Sequence, residues 1–293
     1  MMRSRLLRLF VLVVFALAPV LAYLAPSQAS ATPPVGPSNL AVGIAATHSG
    51  HGYWIATAAG NVYPFGDARS YGSLSGVRLN APVVGIAATA DGGGYWLVAK
   101  DGGVFSFGDA HFYGSTGNIK LNAPVIGIAP TGDGDGYWLA AADGGVFSFG
   151  DAAFSGSHGA DPSASPIVGI SAFPDDSHYW LLTASGEMDV FGFPSGSWPA
   201  GWADISPTPP NAPFVAVANW GTRSDFGGVW MVGADGGVFT LGGAGFYGST
   251  GATHLNAPVV GSAVAPGQDG YWLVAADGGV FAFGDAPFAG SAA

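Results

Sequence analysis

Residues 82–117 read PVVGIAATADGGGYWLVAKDGGVFSFGDAHFYGSTG, and the rest of the chain is built on the same pattern. Three short runs, VVGIAAT, GYWLVA and VFSFG, are separated by turns rich in Gly and Asp. Runs of β-branched and aromatic residues bounded in this way read as strands. The DGG between the second and third runs is a tight-hairpin signal, because glycine tolerates the positive φ such turns need. A shorter segment, FYGST, follows Gly108-Asp109-Ala110 and reads as a fourth, outer strand. The faces are informative. Tyr95, Leu97 and Ala99 point one way, and Trp96 and Val98 the other, so both sides of the central strand are apolar. A sandwich strand with one face in water would alternate apolar and polar.

Outward from this stretch the pattern recurs. Its tryptophan has counterparts at Trp54, Trp138, Trp180, Trp230 and Trp272, and the successive spacings along the chain are 42, 42, 42, 50 and 42. Self-similarity at such a period marks a repeat architecture in which one unit cannot bury its own faces and neighbours cover each other. The expected fold is all-β: a six-bladed β-propeller with four-stranded blades of about 42 residues. The small residues of VVGIAAT suit the crowded axis, and the repeated tryptophans are expected in the core.

The first 31 residues read as an export signal. Arg3, Arg5 and Arg8 precede the apolar run LFVLVVFALAPVLAYLA, and Ala29 and Ala31 occupy the small-residue positions of a cleavage site. Cleavage is expected after Ala31, against the alternative of an uncleaved anchor, and no other stretch is long enough to span a bilayer. Residues 32–293 are then 262 residues, of which Trp54 to Trp272 covers 218. The remaining 44 amount to one more period, so six repeats account for the mature part and leave no room for a separate catalytic domain.

Without the leader, five Lys and Arg face nineteen acids, a formal charge of 5 − 19 = −14. That argues against a nucleic-acid partner, which needs a basic stripe, and against docking by charge on an anionic membrane. All the acids but Glu187 are Asp, a turn signal more than a helix signal. There is no cysteine, so thiolate metal sites, thiol catalysis and disulfides are excluded. The expectation is a secreted or cell-surface monomer that holds together without disulfides.

The order V-x-G-I-A-x-T, a D-G turn, G-Y-W-L-V-A, D-G-G-V-F-S-F-G-D-A and F-Y-G-S resembles the repeat of exported actinobacterial proteins. It is also similar to the blade pattern of NHL and YVTN-type propellers. The resemblance covers 38–293 and implies the propeller fold. In such exported proteins the repeat often accompanies hydrolase domains such as cell-wall amidases or peptidases, a domain this chain lacks. No activity attaches to the repeat itself.

The chemistry is sparse. Asp133 and Asp135 in GDGDG look like the start of a calcium loop, but GYW follows at once and the later ligands of such a loop are missing. A turn is the favoured reading, with no cofactor. His48, His51, His111, His158, His178 and His254 share no repeat position. No G-x-S-x-G elbow is present, and no carboxylate pair stands out for glycosidase work. The fourth and fifth copies depart from the pattern, with ASGEMDVFGFP at 184–194 and ANWGTRSDFGG before Trp230. This irregular stretch carries Trp198, Trp202, Trp220 and Arg223 outside the core tryptophan position, and these four are the candidate binding residues. The favoured function is a non-catalytic interaction module for a cell-envelope glycan or extracellular protein. The alternative is a propeller enzyme, a lyase, lactonase or hydrolase, with its site in the central channel.

Overall fold

The computed structural model describes residues 39–173, 176–192, 210–222, 225–267 and 269–293. The expected leader, 1–31, lies outside them. Blade 1 is β1 (Ala41–Ala46), β2 (Gly52–Thr57) and β3 (Val62–Gly66), and blade 2 is β4 (Val83–Ala88), β5 (Gly94–Ala99) and β6 (Val104–Gly108). Blade 3 follows with β7 (Val125–Pro130), β8 (Gly136–Ala141) and β9 (Val146–Gly150), and blade 4 with β10 (Ile167–Ala172), β11 (Tyr179–Thr183) and β12 (Met188–Phe191). Blade 5 is β13 (Phe214–Thr222), β14 (Asp225–Gly233) and β15 (Val238–Gly242); blade 6 is β16 (Val259–Val264), β17 (Gly270–Ala275) and β18 (Val280–Gly284). Each blade is an antiparallel three-stranded sheet in chain order. Among the described residues no helix is long and apolar enough to cross a membrane.

The six first strands form the ring. β1 packs on β4, β4 on β7, β7 on β10, β10 on β13, β13 on β16, and β16 returns to β1. One hydrogen bond repeats at every joint. The amide that opens each inner strand donates to a carbonyl in the second hairpin of the preceding blade: Val83 to Ala58, Val125 to Lys100, Ile167 to Ala142, Phe214 to Ala184 and Val259 to Ala234. The sixth closes the circle, from Ala41 to Ala276 at 2.9 Å. Every inner strand has a bulge at its second residue, and the residue after it is Gly in five blades. A Cβ on Gly261 would lie 3.3 Å from the Cα of Gly43, so the close approach of neighbouring strands is what the glycine permits.

The core is six layers rather than one. Each apolar cluster lies between two adjacent blades, such as Trp54, Ala56, Tyr95 and Leu97 between blades 1 and 2. The six repeat tryptophans are at most 4 % exposed. Each such ring removes roughly 150–250 Å² from water. In five of the joints the tryptophan of one blade meets the tyrosine of the next at 5.2–5.7 Å, as in Trp96–Tyr137 and, across the seam, Trp272–Tyr53.

The blades have three strands, where the sequence pattern suggested four. In the five repeats where it is described, the FYGST-type segment joins no ladder. Its backbone groups go elsewhere. In repeat 2 the Trp96 indole N–H donates to the His111 carbonyl at 2.7 Å. The Tyr137 hydroxyl of the next blade accepts from the amides of Tyr113 and Gly114 and donates to the Gly114 carbonyl at 2.6 Å. Gly114 has φ 141°, outside the range of a ladder residue. The segment is therefore a strap between two blades, held by side chains, and not an edge strand.

The hairpin turns follow the sequence reading. Asp101, Asp143, Asp235 and Asp277 each accept from the amide two residues on, at 2.9–3.1 Å. The glycine between, such as Gly102 at φ 79°, supplies the left-handed step.

Candidate functional site

Of the residues singled out by sequence, Trp198, Trp202 and Arg223 lie outside the described residues. Trp220 falls near the end of β13, paired across the hairpin with Gly228. The irregular stretch makes β13 and β14 nine residues each, against six in the regular blades.

The turn reading of GDGDG is visible in bonds. The Asp135 amide donates to Asp133 Oδ1 at 3.1 Å, an Asx turn. Blade 3 itself and its two neighbours add what the sequence alone did not join. Asp151, sixteen residues on, brings a carboxylate oxygen within 4.8 Å of those of Asp133 and Asp135, and all three are exposed. Asp176 of blade 4 reaches back to accept from the Gly132 amide, and Tyr113 donates to Asp135 at 3.2 Å. Partial burial pushes the Asp151 carboxyl above the ordinary range, and the charges of Asp133, Asp135 and Asp176 push it further. The three carboxylates could supply oxygen ligands to a hard cation, which takes six to eight.

Beside this cluster an open groove of about 630 Å³ runs between blades 2 and 3. Asp91, Asp109, Asp133, Asp135, His111 and Tyr113 are among its walls. Asp91 is held below the ordinary carboxylate range, first by the Gly93 amide and then by the Thr89 hydroxyl. The groove is thus lined by carboxylates and aromatic rings.

The second feature is one the sequence reading missed. Phe112, Phe154, Phe246 and Phe288 occupy the same position in repeats 2, 3, 5 and 6, and they are 52, 61, 60 and 63 % exposed. They are not loosely held. In each case the residue before has its carbonyl bound by the blade's own tryptophan: His111, Ala153, Gly245 and Pro287, at 2.7–2.8 Å. The residues after are bound by the tyrosine of the next blade, Tyr137, Tyr179, Tyr271 and Tyr53 in turn. Each phenyl therefore projects into water from a backbone clamped on both sides. The Tyr113 hydroxyl, one residue past Phe112, donates to the Gly134 carbonyl in the first hairpin of the next blade. The sequence reading put this segment at the outer edge without singling out its phenylalanine, which in all four repeats faces water.

The channel reading finds less. The six inner strands read AVGIAA, VVGIAA, VIGIAP, IVGISA, FVAVANWGT and VVGSAV, without a carboxylate, imidazole, amine or thiol.

Comparison with protein-family profiles finds no match, and comparison with curated proteins finds none either. Among solved structures the chain is similar to the β-propeller domain of Cps50 (Swd1) from Myceliophteria thermophila. The identity is 11 %, the TM-score 0.50, and 80 % of each chain is covered. At that identity the likeness speaks for the fold alone. Its six sheets, the ring of inner strands and this likeness together make the chain a six-bladed β-propeller.

Proposed function

We propose that the chain is an exported interaction module that docks a cell-envelope partner, glycan or protein, through the rim bearing the four phenylalanines. The observation that carries this is the repetition of one presentation: a phenyl more than half exposed, on a strap fixed by a tryptophan and a tyrosine from two blades. A backbone already held in place loses little freedom when a partner covers its side chain, and aromatic anchors on fixed backbone make good binding contacts. Four equivalent anchors around one ring also suit a partner with repeating units, since each further contact becomes intramolecular. The leader-like segment at 1–31 supports export, and mass determination of the protein from culture medium tests cleavage after Ala31. The channel-enzyme alternative has no comparable support.

Sedimentation with isolated envelopes of the producing cells tests the docking. Replacing Phe112, Phe154, Phe246 and Phe288 together by alanine is expected to leave the protein folded and to abolish co-sedimentation. Unchanged co-sedimentation of that variant would refute the reading.

A further inference from the structure

Carboxylates stand at both ends of the blades, in the second hairpins at Asp101, Asp143, Asp235 and Asp277 as well as at the first-hairpin end, so charge alone marks no site. The groove between blades 2 and 3 adds shape and rings to charge. Its volume, about 630 Å³, lies in the range of ligand clefts. Asp91 and Asp109 line it from blade 2, and Asp133 and Asp135 from the first hairpin of blade 3. These acceptors are held in place. The Gly93 amide donates to Asp91 at 3.0 Å, and the Thr89 hydroxyl lies 2.8 Å from Asp91 and 3.3 Å from Asp109. The Tyr113 hydroxyl fixes Asp135 at 3.2 Å. The same wall carries the rings of His111 and Tyr113, with centroids 5.0 Å apart. Among the described residues its lining holds no lysine or arginine. The basic groups at hand are imidazoles: His111 itself, and His48, whose Nδ1 donates to the carbonyl of Ala90 in the groove wall at 2.8 Å.

A ligand suited to this groove carries a cation for the carboxylates and a flat face for the rings. A guanidinium has both. Its donors form a rigid fork that matches carboxylate oxygens, and its plane stacks on aromatic rings, whereas an ammonium is a compact point charge. The repeat points the same way. One blade earlier the strap position of His111 is held by Arg69, and Trp54 binds the Arg69 carbonyl as Trp96 binds that of His111. The chain thus places a guanidinium of its own at this position in the preceding joint. We propose that the groove between blades 2 and 3 binds arginine side chains of a partner polypeptide, with Asp91 and Asp109 on one wall, Asp133 and Asp135 on the other, and His111 and Tyr113 as the stacking surface. This site goes beyond the phenylalanine rim and does not depend on the rim docking a partner.

Isothermal titration calorimetry on the protein purified from its own culture is the test, with acetyl-Gly-Arg-Gly-Arg-Gly-amide as the probe and its lysine counterpart beside it. The arginine peptide is expected to bind at a single site, and the lysine peptide at least about fivefold more weakly. Asp91→Asn/Asp109→Asn keeps an acceptor for the Gly93 amide and removes two charges, so the fold is expected to persist, by unchanged circular dichroism, while affinity falls at least about tenfold. Asp235→Asn/Asp277→Asn removes the same charge from the second-hairpin end and is expected to change affinity less than about twofold. His111→Ala takes away a ring and no carboxylate, and is expected to narrow the preference for arginine over lysine. No binding of the arginine peptide, equal affinity for the two peptides, or equal losses in the two Asp→Asn pairs would overturn the proposal. The quadruple alanine variant of Phe112, Phe154, Phe246 and Phe288 is expected to keep the arginine peptide, so that envelope binding reads the rim and peptide binding reads the groove.

Discussion

The hydroxyl of Tyr137 stands where a fourth strand would otherwise have paired. It closes three bonds to the strap of the preceding repeat, while the ring packs against Trp96. Tyr137→Phe keeps the ring and strands those partners, and a buried group left unpaired costs about 1–3 kcal/mol. A lower denaturation midpoint with unchanged far-ultraviolet circular dichroism is expected. Phe112→Ala is the contrasting case. Its phenyl is more than half exposed, so stability is expected to change by less than about 0.5 kcal/mol. Thermal unfolding of the two variants side by side checks both. The sequence states that Phe112 and Tyr113 are aromatic at fixed repeat positions, but not that one faces water and the other a neighbour. That depends on the tyrosine of the following repeat, more than twenty residues away, and on which backbone groups it takes. The binding residues expected at Trp198, Trp202, Trp220 and Arg223 are breaks in the repeat, whereas the phenylalanines are part of it.

At the scale of the element, the joint between blades 4 and 5 repairs a missing tyrosine. The position held by Tyr95, Tyr137, Tyr179, Tyr271 and Tyr53 elsewhere is Val229 in blade 5. The space is filled from blade 4: where repeats 1 to 3 have Thr47, Thr89 and Thr131, this one has Phe173, 3 % exposed, with its ring 4.9 Å from that of Trp180. Phe173→Thr opens a cavity, a loss of about 2–4 kcal/mol. Val229→Tyr overpacks it, at about 1–3 kcal/mol. The two together restore the arrangement of the other joints, so the double variant is expected to lose less than the sum by at least about 1 kcal/mol in a double-mutant cycle. Denaturant titration of the four proteins gives the coupling, and strict additivity would contradict the exchange. The three strands and both hairpins of each repeat were legible from apolar runs and turn residues. The strap was not, because FYGST has the composition of an edge strand and only its bonding partners exclude it. The irregular stretch was legible as a break, and part of it lengthens β13 and β14 to nine residues each.

For the whole molecule, the five clasping tyrosines give stability a definite alkaline limit. Burial pushes the hydroxyls of Tyr53, Tyr95, Tyr137, Tyr179 and Tyr271 above their ordinary value of 10.0, with backbone bonds working the other way. A raised value means that the folded chain holds these protons more tightly than the unfolded one. Their contribution is complete below the unfolded value, about pH 10, and is lost as pH rises through the folded values. Unfolding midpoints are expected to be insensitive to these groups up to that point and to fall steeply above it, with tyrosinate absorbance rising in the same step as the loss of structure. A gradual titration with the fold intact would contradict the clasp. The ring was legible as a count, because six copies of a unit apolar on both faces must cover one another. Its seam was not, since nothing in the sequence pairs residue 41 with residue 276. That seam rests on the Ala41–Ala276 bond, the Trp272–Tyr53 contact and the Tyr53 hydroxyl on Gly290. Amide hydrogen exchange at the six equivalent inner-strand positions tests the closed ring most directly. Protection at Ala41 matching that at Val83, Val125, Ile167, Phe214 and Val259 is the predicted result. Fast exchange at Ala41 beside slow exchange at the other five would mean an open array.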